Sequence, residues 1–445
     1  MKMMEKLMST FRIRDNSFAE KEQFNPVHNI VRIVADKTLE QLEKEGVFVF
    51  PDLKSESNDL SKEQMILQSI NSQYHTGNVM GFLGCGEERL IIRSRFSTGD
   101  NDYFFQYMLE KVIDFPNVVN MNTDAENNNR MFTLLLFLFP AYLTAAMRKG
   151  PYKTYVRNEY NDGNVKGTID VARHIRKNTP FVGNIAYNQR ENSYDNYLMQ
   201  LIRLTVEYIK SKPNGSSILA KVKDEISMVI DATPNFELKN ANKIISINKK
   251  TTVRHAYYHE YRDLQRLCIL ILQNEKHQAG IGTRKVYGIL FDGAWLWEEY
   301  VNQLIGHKFY HPMNKAGSGG QRLFTGGAGR IYPDFISRDA DSHTIADAKY
   351  KPIDNIGNKD YLQVLAYMFR FDSKKAFYLY PESGENDSRV LALNSGSTYE
   401  NNVKAREDVC VIKHGLRIPN DVKNYEEFRT FMSEQEDEFR KAVCE

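Results

Sequence analysis

Apolar residues fall at helical spacing in several stretches of the chain and alternate or run continuously in others. IVADKTLEQLEKEG (33–46), SYDNYLMQLIRLTVEYIK (193–210) and VRHAYYHEYRDLQRLCILILQNEK (253–276) carry the three-to-four-residue period of amphipathic helices. VFVFPDL, NVMGFLG and ERLIIRSRF read as short strands near the start of the chain. In the last third, GILFDGAWLWEEYVNQLI predicts a helix, followed by a glycine-rich loop and three strand-like runs. KDYLQVLAYMFRF then predicts a second helix, with a further strand after it. Polar breaks at NMNTDAENNNR (120–130) and KPNGSS (212–217) punctuate the pattern.

Three regions and a tail follow from this pattern: a β-rich part over 1–119, a helical middle over 120–277, an α/β part over 278–396, and 397–445, whose role the pattern leaves open. The fold class expected is mixed α+β and multidomain. The run MFTLLLFLFPAYLTAAM (131–147) is the strongest apolar stretch, but it is shorter than the ~20 residues a spanning helix needs, and Pro140 interrupts it. It predicts a buried helix pair with a kink or break before Pro140, and no membrane partner. The 445 residues are 42% hydrophobic and 26% charged, enough for packed cores and against wholesale disorder. Lys plus Arg (59) nearly equals Asp plus Glu (57), so nucleic-acid binding would need a local patch. Four scattered cysteines without a Cys-x-x-Cys pair fit a reducing compartment, and the start of the chain lacks a signal-like apolar core. A cytoplasmic location is expected.

The candidate chemistry lies between Phe291 and Pro381. RIYPDFISRD and HTIADAKYK read as neighbouring strands carrying Asp334 and the pair Asp347, Lys349. Residues two apart on a strand share a face, so Asp347 and Lys349 project together, and Asp334 can meet them from the paired strand. Converging carboxylates repel unless a cation separates them, and oxygen ligands with room for water suit Mg²⁺ or Mn²⁺. The ammonium of Lys349 can then orient a water or stabilise charge on a phosphoryl group. The same motifs are common in turns that merely cap backbone groups, and that reading stays open on them alone. Gln363 and Tyr367 stand four apart, a polar face on an otherwise apolar helix, suited to a place beside such a site. Glu298 on the preceding helix is a candidate third carboxylate, while Glu299 reads as a solvated residue. The glycines at 317, 319, 320, 326, 327 and 329 lack the Gly-x4-Gly-Lys-Ser/Thr order and lead into a strand, so they read as a mobile connection, ahead of a DNA-touching flap, rather than as a phosphate cradle. Arg173, His174, Arg176 and Lys177, then Arg148, Lys149 and Lys153, and Lys249, Lys250 and Arg254 are basic groups for which a solvated face is the default reading. Glu191 and Asp195, four apart in QRENSYDN, read as a structural hub without a derivable role.

In order, a helix with Glu298, Pro333-Asp334, Asp347-x-Lys349 and Gln363-x-x-x-Tyr367 resemble the PD-(D/E)xK nuclease superfamily in its RecB-like form. More closely, FDGAWLWEEYV, YPDFI, IADAKYK, DYLQVLAY and AFYLYP resemble McrC, the nuclease subunit of McrBC-type restriction systems. VKGTIDVARHI, AYNQRENSYDNYLMQLIR and RLIIRSRFSTGDNDYFFQYML extend the likeness, which covers about residues 80 to 385. One position departs: the helix has Leu296-Trp297-Glu298 where the family more often has Leu-Phe-Glu. The resemblance implies a C-terminal nuclease core, a central mixed sheet flanked by helices, with Asp334, Asp347 and Glu298 as ligands of Mg²⁺ (or Mn²⁺). Lys349 would be the catalytic lysine, Gln363 would join it, and Tyr367 would support. It also implies an N-terminal partner-binding domain, a McrB-like AAA+ GTPase hexamer as partner, and double-stranded DNA as substrate. Two other classes remain as alternatives: a non-catalytic adaptor that activates an AAA+ motor, and a stand-alone RecB-like repair nuclease.

Overall fold

The structure is a computed structural model that describes residues 9–45, 47–50, 63–97, 101–113, 127–212, 215–278, 286–312, 320–339, 343–384, 388–396 and 403–445. The chain divides into two compact units, one formed by 1–131 together with 282–445, the other by 132–281. The first and last regions read from the sequence therefore lie in a single unit. The reason is strand pairing between residues far apart in the chain, which hydrophobic periodicity does not encode.

A five-stranded sheet runs in the order Ser9–Arg14, Glu88–Arg93, Val79–Cys85, Tyr287–Asp292, Val47–Phe50. The strand Tyr287–Asp292 pairs antiparallel with Val79–Cys85 and parallel with Val47–Phe50, so the segment entering the α/β region belongs to this first sheet. The backbones come close there: a side chain at Gly81 would meet the carbonyl oxygen of Ile289 at 2.1 Å, which only glycine avoids. Val27, Ile30, Val34, Leu39, Leu83 and Leu90 fill the core beside the sheet. The helix expected over 33–46 is split into His28–Val34 and Leu39–Glu45. Asp36, with φ +58°, lies in the break.

A second, six-stranded sheet is mixed. Its order is Phe309–Tyr310, Phe335–Ser337, Thr344–Ala348, Lys375–Glu382, Lys404–Arg417, Arg389–Ser395. Thr344–Ala348, Lys375–Glu382 and Lys404–Arg417 are parallel neighbours, and the remaining pairs are antiparallel. Helix Asn358–Arg370 connects two of the parallel strands, as such crossovers require. The region whose role the pattern left open is, from residue 403 onward, part of this fold: Lys404–Arg417 is an inner strand, and helix Tyr425–Cys444 buries Phe428, Met432, Glu436 and Phe439.

In the second unit, helices Tyr197–Lys210, Lys223–Ala232, Ala241–Lys250 and His259–Gln278 pack around Leu201, Ile202, Val229, Ile244 and Leu267. The region is less helical than its periodicity suggests. TYVRNEYND and IAYNQRENS pair over nine residues as strands Thr154–Asp162 and Ile185–Ser193, with Thr168–Ile169 on the far edge. The apolar run forms one helix, Asn127–Met147, that continues through Pro140 instead of breaking before it. Burial of Leu135 to Phe139 and of Leu143 on either side offsets the backbone bond a proline forfeits. Among the described residues no helix is long and apolar enough to cross a membrane. Residues 120–126 of the polar break, 213–214 of the second break, and Gly317 and Gly319 lie outside the described residues.

Candidate nuclease site

Asp292 ends the Tyr287–Asp292 strand and caps the next helix, accepting from the Ala294 N–H at 2.9 Å. Gly293 starts that helix against Tyr350, whose ring a Cβ would strike at 2.7 Å. Tyr350, two residues past the Thr344–Ala348 strand, in turn shares a 2.6 Å hydrogen bond with Ser94, the residue that follows the Glu88–Arg93 strand. Helix Gly293–Ile305 is thus fixed at its start to both sheets. Further along, the indole of Trp297 donates to the Leu379 carbonyl at 3.0 Å, which sets the helix against the second sheet with Glu298 7% exposed.

A turn and a strand deliver the carboxylates. Pro333-Asp334 falls between the short strands Arg330–Ile331 and Phe335–Ser337, rather than within one strand. From there the Asp334 carboxylate accepts from the Ala348 N–H at 2.9 Å, across the strand that carries Asp347. Asp347 is 1% exposed, and Lys349, one residue beyond the strand, reaches back to place its Nζ 2.7 Å from Asp347 Oδ2. The period of two thus brings Asp347 and Lys349 together.

Helix Asn358–Arg370 supplies the other wall. Lys349 Nζ donates to Gln363 Oε1 at 3.3 Å, Gln363 Nε2 donates to the Tyr367 hydroxyl at 2.6 Å, and that hydroxyl donates to the Tyr332 carbonyl at 3.1 Å. A polar chain therefore runs from the lysine to the backbone beside Asp334. Asp360 opens this helix by accepting from the Gly357 N–H at 2.9 Å and from Lys351 Nζ at 2.7 Å.

The electrostatics follow from this crowding. Desolvation holds the Asp334 carboxyl well above the usual range, and the nearby Glu298 and Asp347 charges add to it, with Lys349 opposing. Burial and the same carboxylates, Asp347 and Asp334, raise the Tyr367 hydroxyl, so it stays protonated and donates.

His311 is a site residue that spacing gave no reason to select. Its Nδ1 lies 2.8 Å from the Asp334 carbonyl, and its Nε2 lies 3.7 Å from both Glu298 and Glu299. Burial disfavours its charged ring, but the neighbouring Glu299 carboxylate, the hydrogen bond to the Asp334 carbonyl and the Glu298 charge outweigh this and raise its pKa. Glu299 is half-buried against that ring, not a solvated residue as the helix pattern suggested. A lone His-Pro in an irregular stretch leaves no periodic signal.

The structure also sorts the basic candidates. Arg173 is buried, donating to Asn188 Oδ1 at 3.0 Å and the Tyr187 carbonyl at 2.6 Å, with Glu159 2.8 Å away. Its role is structural. Lys149 is held by Glu260 at 2.6 Å, and Lys153 sits over the Tyr194 ring. Glu191 binds Asn158 and Tyr160 across the strand pair.

Among the described residues no three His, Cys, Asp or Glu side chains form a ready metal cage. The donor chemistry nevertheless fits a hard divalent ion that keeps several waters and takes one or two carboxylates, since Asp334 and Asp347 repel each other and a cation would relieve this. Asp334 and Asp347, with Glu298 beside them, are the residues that would hold it.

A family model described as McrBC 5-methylcytosine restriction system component matches residues 74–381. The chain belongs to this McrBC family. The match takes in both strands of the site, Gln363 and Tyr367, and the middle unit. A chain in a half-complex from a tetradecameric assembly of Thermococcus gammatolerans McrB AAA+ hexamers with bound McrC is similar over 98% of this chain and 99% of that chain, at 12% identity and TM-score 0.47. A chain of the Thermococcus gammatolerans McrBC complex is similar over 67% of this chain and 87% of that one, at 12% identity and TM-score 0.28. No curated protein matches the chain.

Proposed function

We propose that this McrBC-family chain is the DNA-cleaving subunit of a restriction system, a McrC-like endonuclease whose second sheet is a PD-(D/E)xK core. The observation that carries the reading is the cluster in which Lys349 contacts both Asp347 and Gln363, with Asp334 bonded to the same strand end. The order of elements supports it: a helix with Glu298, the Asp334 turn, the Asp347 strand, the Gln363 helix and the parallel strand Lys375–Glu382.

Mg²⁺, or Mn²⁺, held by Asp334 and Asp347 with Glu298 beside them, would supply a water of lowered pKa and neutralise charge at the scissile phosphate. The chain's own residues do the rest. Lys349 presents an ammonium at the mouth of the cluster, where it orients the attacking water and balances charge growing on the phosphoryl oxygens. Gln363 holds that ammonium in place, and Tyr367 holds Gln363. The bond broken is the phosphodiester, leaving a 5′-phosphate and a 3′-hydroxyl.

A surface suited to DNA adjoins the cluster in sequence and through hydrogen bonds. The ribbon pairing Gln321–Arg322 with Arg330–Ile331 leads directly into Pro333-Asp334, and Arg370 Nε donates to the Arg322 carbonyl at 2.7 Å. Arg322, Arg330 and Arg370 are exposed and form no ion pair among the described residues, and Phe324 at the ribbon's turn is 61% exposed. Cations beside an exposed ring suit a phosphate backbone and its bases.

The partner in this reading is a McrB-like AAA+ GTPase hexamer. Family membership supports it, as does the lack of a Gly-x4-Gly-Lys-Ser/Thr motif in the sequence, which leaves nucleotide hydrolysis to another subunit. The test is plasmid cleavage by the purified chain with Mg²⁺, with and without such a partner and GTP, followed by end-group analysis of the products. Products with 3′-phosphates, or cleavage that continues without a divalent ion, would remove this mechanism. Cutting by the chain alone would point to a stand-alone nuclease.

A further inference from the structure

The middle unit contains a cleft of about 640 Å³, within the range of small-ligand sites. Its walls come from strand Thr154–Asp162, the start of helix Tyr197–Lys210, and the segments around Ala241–Lys250 and Thr251 to Arg254. Nothing in the nuclease reading uses it.

The charges that line it are one-sided. Arg157, Lys243 and Arg254 are exposed and form no ion pair among the described residues. The single carboxylate, Asp195, is already satisfied: Gln200 Nε2 donates to one oxygen at 2.6 Å, and the Asn235 N–H donates to the other at 3.0 Å. Arg157 also stands directly opposite Arg190 across the strand pair, an arrangement of like charges that costs stability unless an anion is near.

Aromatic faces are the second feature. Tyr155 is 61% exposed, with Arg190 over one face of its ring at 4.7 Å. Tyr197 is also exposed, and Lys243 lies 5.8 Å from its ring centre. Lys243 of the cleft, and Arg190 on the strand facing Arg157, are thus positioned beside rings, which suits a ligand with a planar group next to a negative charge.

The floor is built and rigid. Asn248 Nδ2 donates to the Tyr197 carbonyl at 2.7 Å, and Gln265 Nε2 donates to Asn248 Oδ1 at 2.8 Å. Gln265 Oε1 accepts from the Val253 N–H at 3.1 Å, which fixes the backbone just before Arg254. Buried amides whose bonds are made within the protein hold the walls before any ligand arrives. This gives Asp195 of the QRENSYDN run, and Arg254 of the third basic group, a shared location.

We propose that this cleft is a nucleotide-binding site, taking a phosphate on Arg157, Lys243 and Arg254 and a base against Tyr155 or Tyr197. The same chemistry is offered by a free nucleotide and by one nucleotide of a single DNA strand.

The test is calorimetric titration of the full-length chain with thymidine 5′-monophosphate, thymidine, inorganic phosphate and a ten-residue oligothymidylate. Each is repeated on Arg254→Ala, Lys243→Ala and Tyr155→Ala, whose exposed positions leave the fold intact, as unchanged melting temperatures would verify. The monophosphate is expected to bind at least about tenfold more tightly than thymidine, and each variant to weaken it by about tenfold, the worth of one charge-assisted hydrogen bond or ring contact. If only the oligonucleotide binds and the variants weaken it, the occupant is a strand. If the monophosphate binds as well as the oligonucleotide, it is a free nucleotide. Binding that none of the variants weakens, no binding of either, or inorganic phosphate binding as tightly as the nucleotide would overturn the assignment. Cleavage by the Asp334, Asp347 and Lys349 cluster stands or falls separately, because none of these probes reports on it.

Discussion

The Tyr300 hydroxyl donates to Glu436 at 2.7 Å, tying the helix that carries Glu298 to the last helix of the chain. Tyr107 donates to the same carboxylate at 2.8 Å, and Lys111 lies 3.3 Å away. Glu436 is 3% exposed, so this junction is formed almost out of water. Burial and the Glu436 charge raise the Tyr300 hydroxyl far above its ordinary range, which keeps it a donor at every working pH.

Glu436→Ala leaves two buried phenols without their acceptor. The expected loss is about 2–4 kcal/mol of unfolding free energy. Glu436→Gln, which keeps an acceptor oxygen, should recover part of it. Chemical denaturation of the three proteins measures this, and an unchanged midpoint for Glu436→Ala would refute the junction's role.

Divalent ions should raise thermal stability, because Asp334 and Asp347 repel each other without one. At ten times the dissociation constant the gain is about 1.4 kcal/mol, and Asp347→Asn should abolish it. Melting curves with and without Mg²⁺ or Mn²⁺ decide this, and superimposable curves for the wild type would count against the metal.

His414 gives a pH signature away from the site. It is buried, stacked on Phe439 at 5.1 Å and hydrogen-bonded to Ser388 at 2.6 Å, and burial lowers its pKa. The unfolded chain therefore takes up a proton near pH 6.5 that the folded one refuses. Stability from this group is full above about pH 6.5 and is lost as pH falls toward the depressed folded value. The melting temperature of His414→Gln should vary less than that of wild type between about pH 7.5 and 5.5, and parallel profiles would show that His414 does not contribute.

Arg330→Ala and Arg370→Ala should weaken DNA binding without changing the sequence preference. Each should also reduce the slope of log affinity against log salt by about one. Fluorescence anisotropy over a salt series reads both effects. A slope unchanged in both variants would take the ribbon out of the DNA interface.

Much of the candidate site was legible in the sequence because its contacts are local. Asp347 and Lys349 are two apart at a strand end, and Gln363 and Tyr367 are four apart on a helix, so simple periods bring each pair together. His311 was not legible: it reaches Glu298, Glu299 and the Asp334 backbone from an irregular segment. The fold shows the same division. The helices around Leu201 and Leu267 follow their apolar stripes, whereas the insertion of Tyr287–Asp292 between Val79–Cys85 and Val47–Phe50 depends on partners some two hundred residues away. The burial of Tyr425–Cys444 was hidden for a related reason, since an acidic and basic surface pattern conceals one apolar stripe and one buried glutamate.

The most direct measurement compares wild type, Asp347→Asn and Lys349→Ala in plasmid cleavage with Mg²⁺, the AAA+ partner and GTP, while GTP hydrolysis by the partner is followed in the same tubes. The nuclease reading predicts that both variants lose at least about a hundredfold in cleavage while still accelerating GTP hydrolysis as wild type does. Variants that cut as fast as wild type, or a wild type that accelerates GTP hydrolysis yet never cuts, would contradict it. The latter result would leave an adaptor in place of an enzyme.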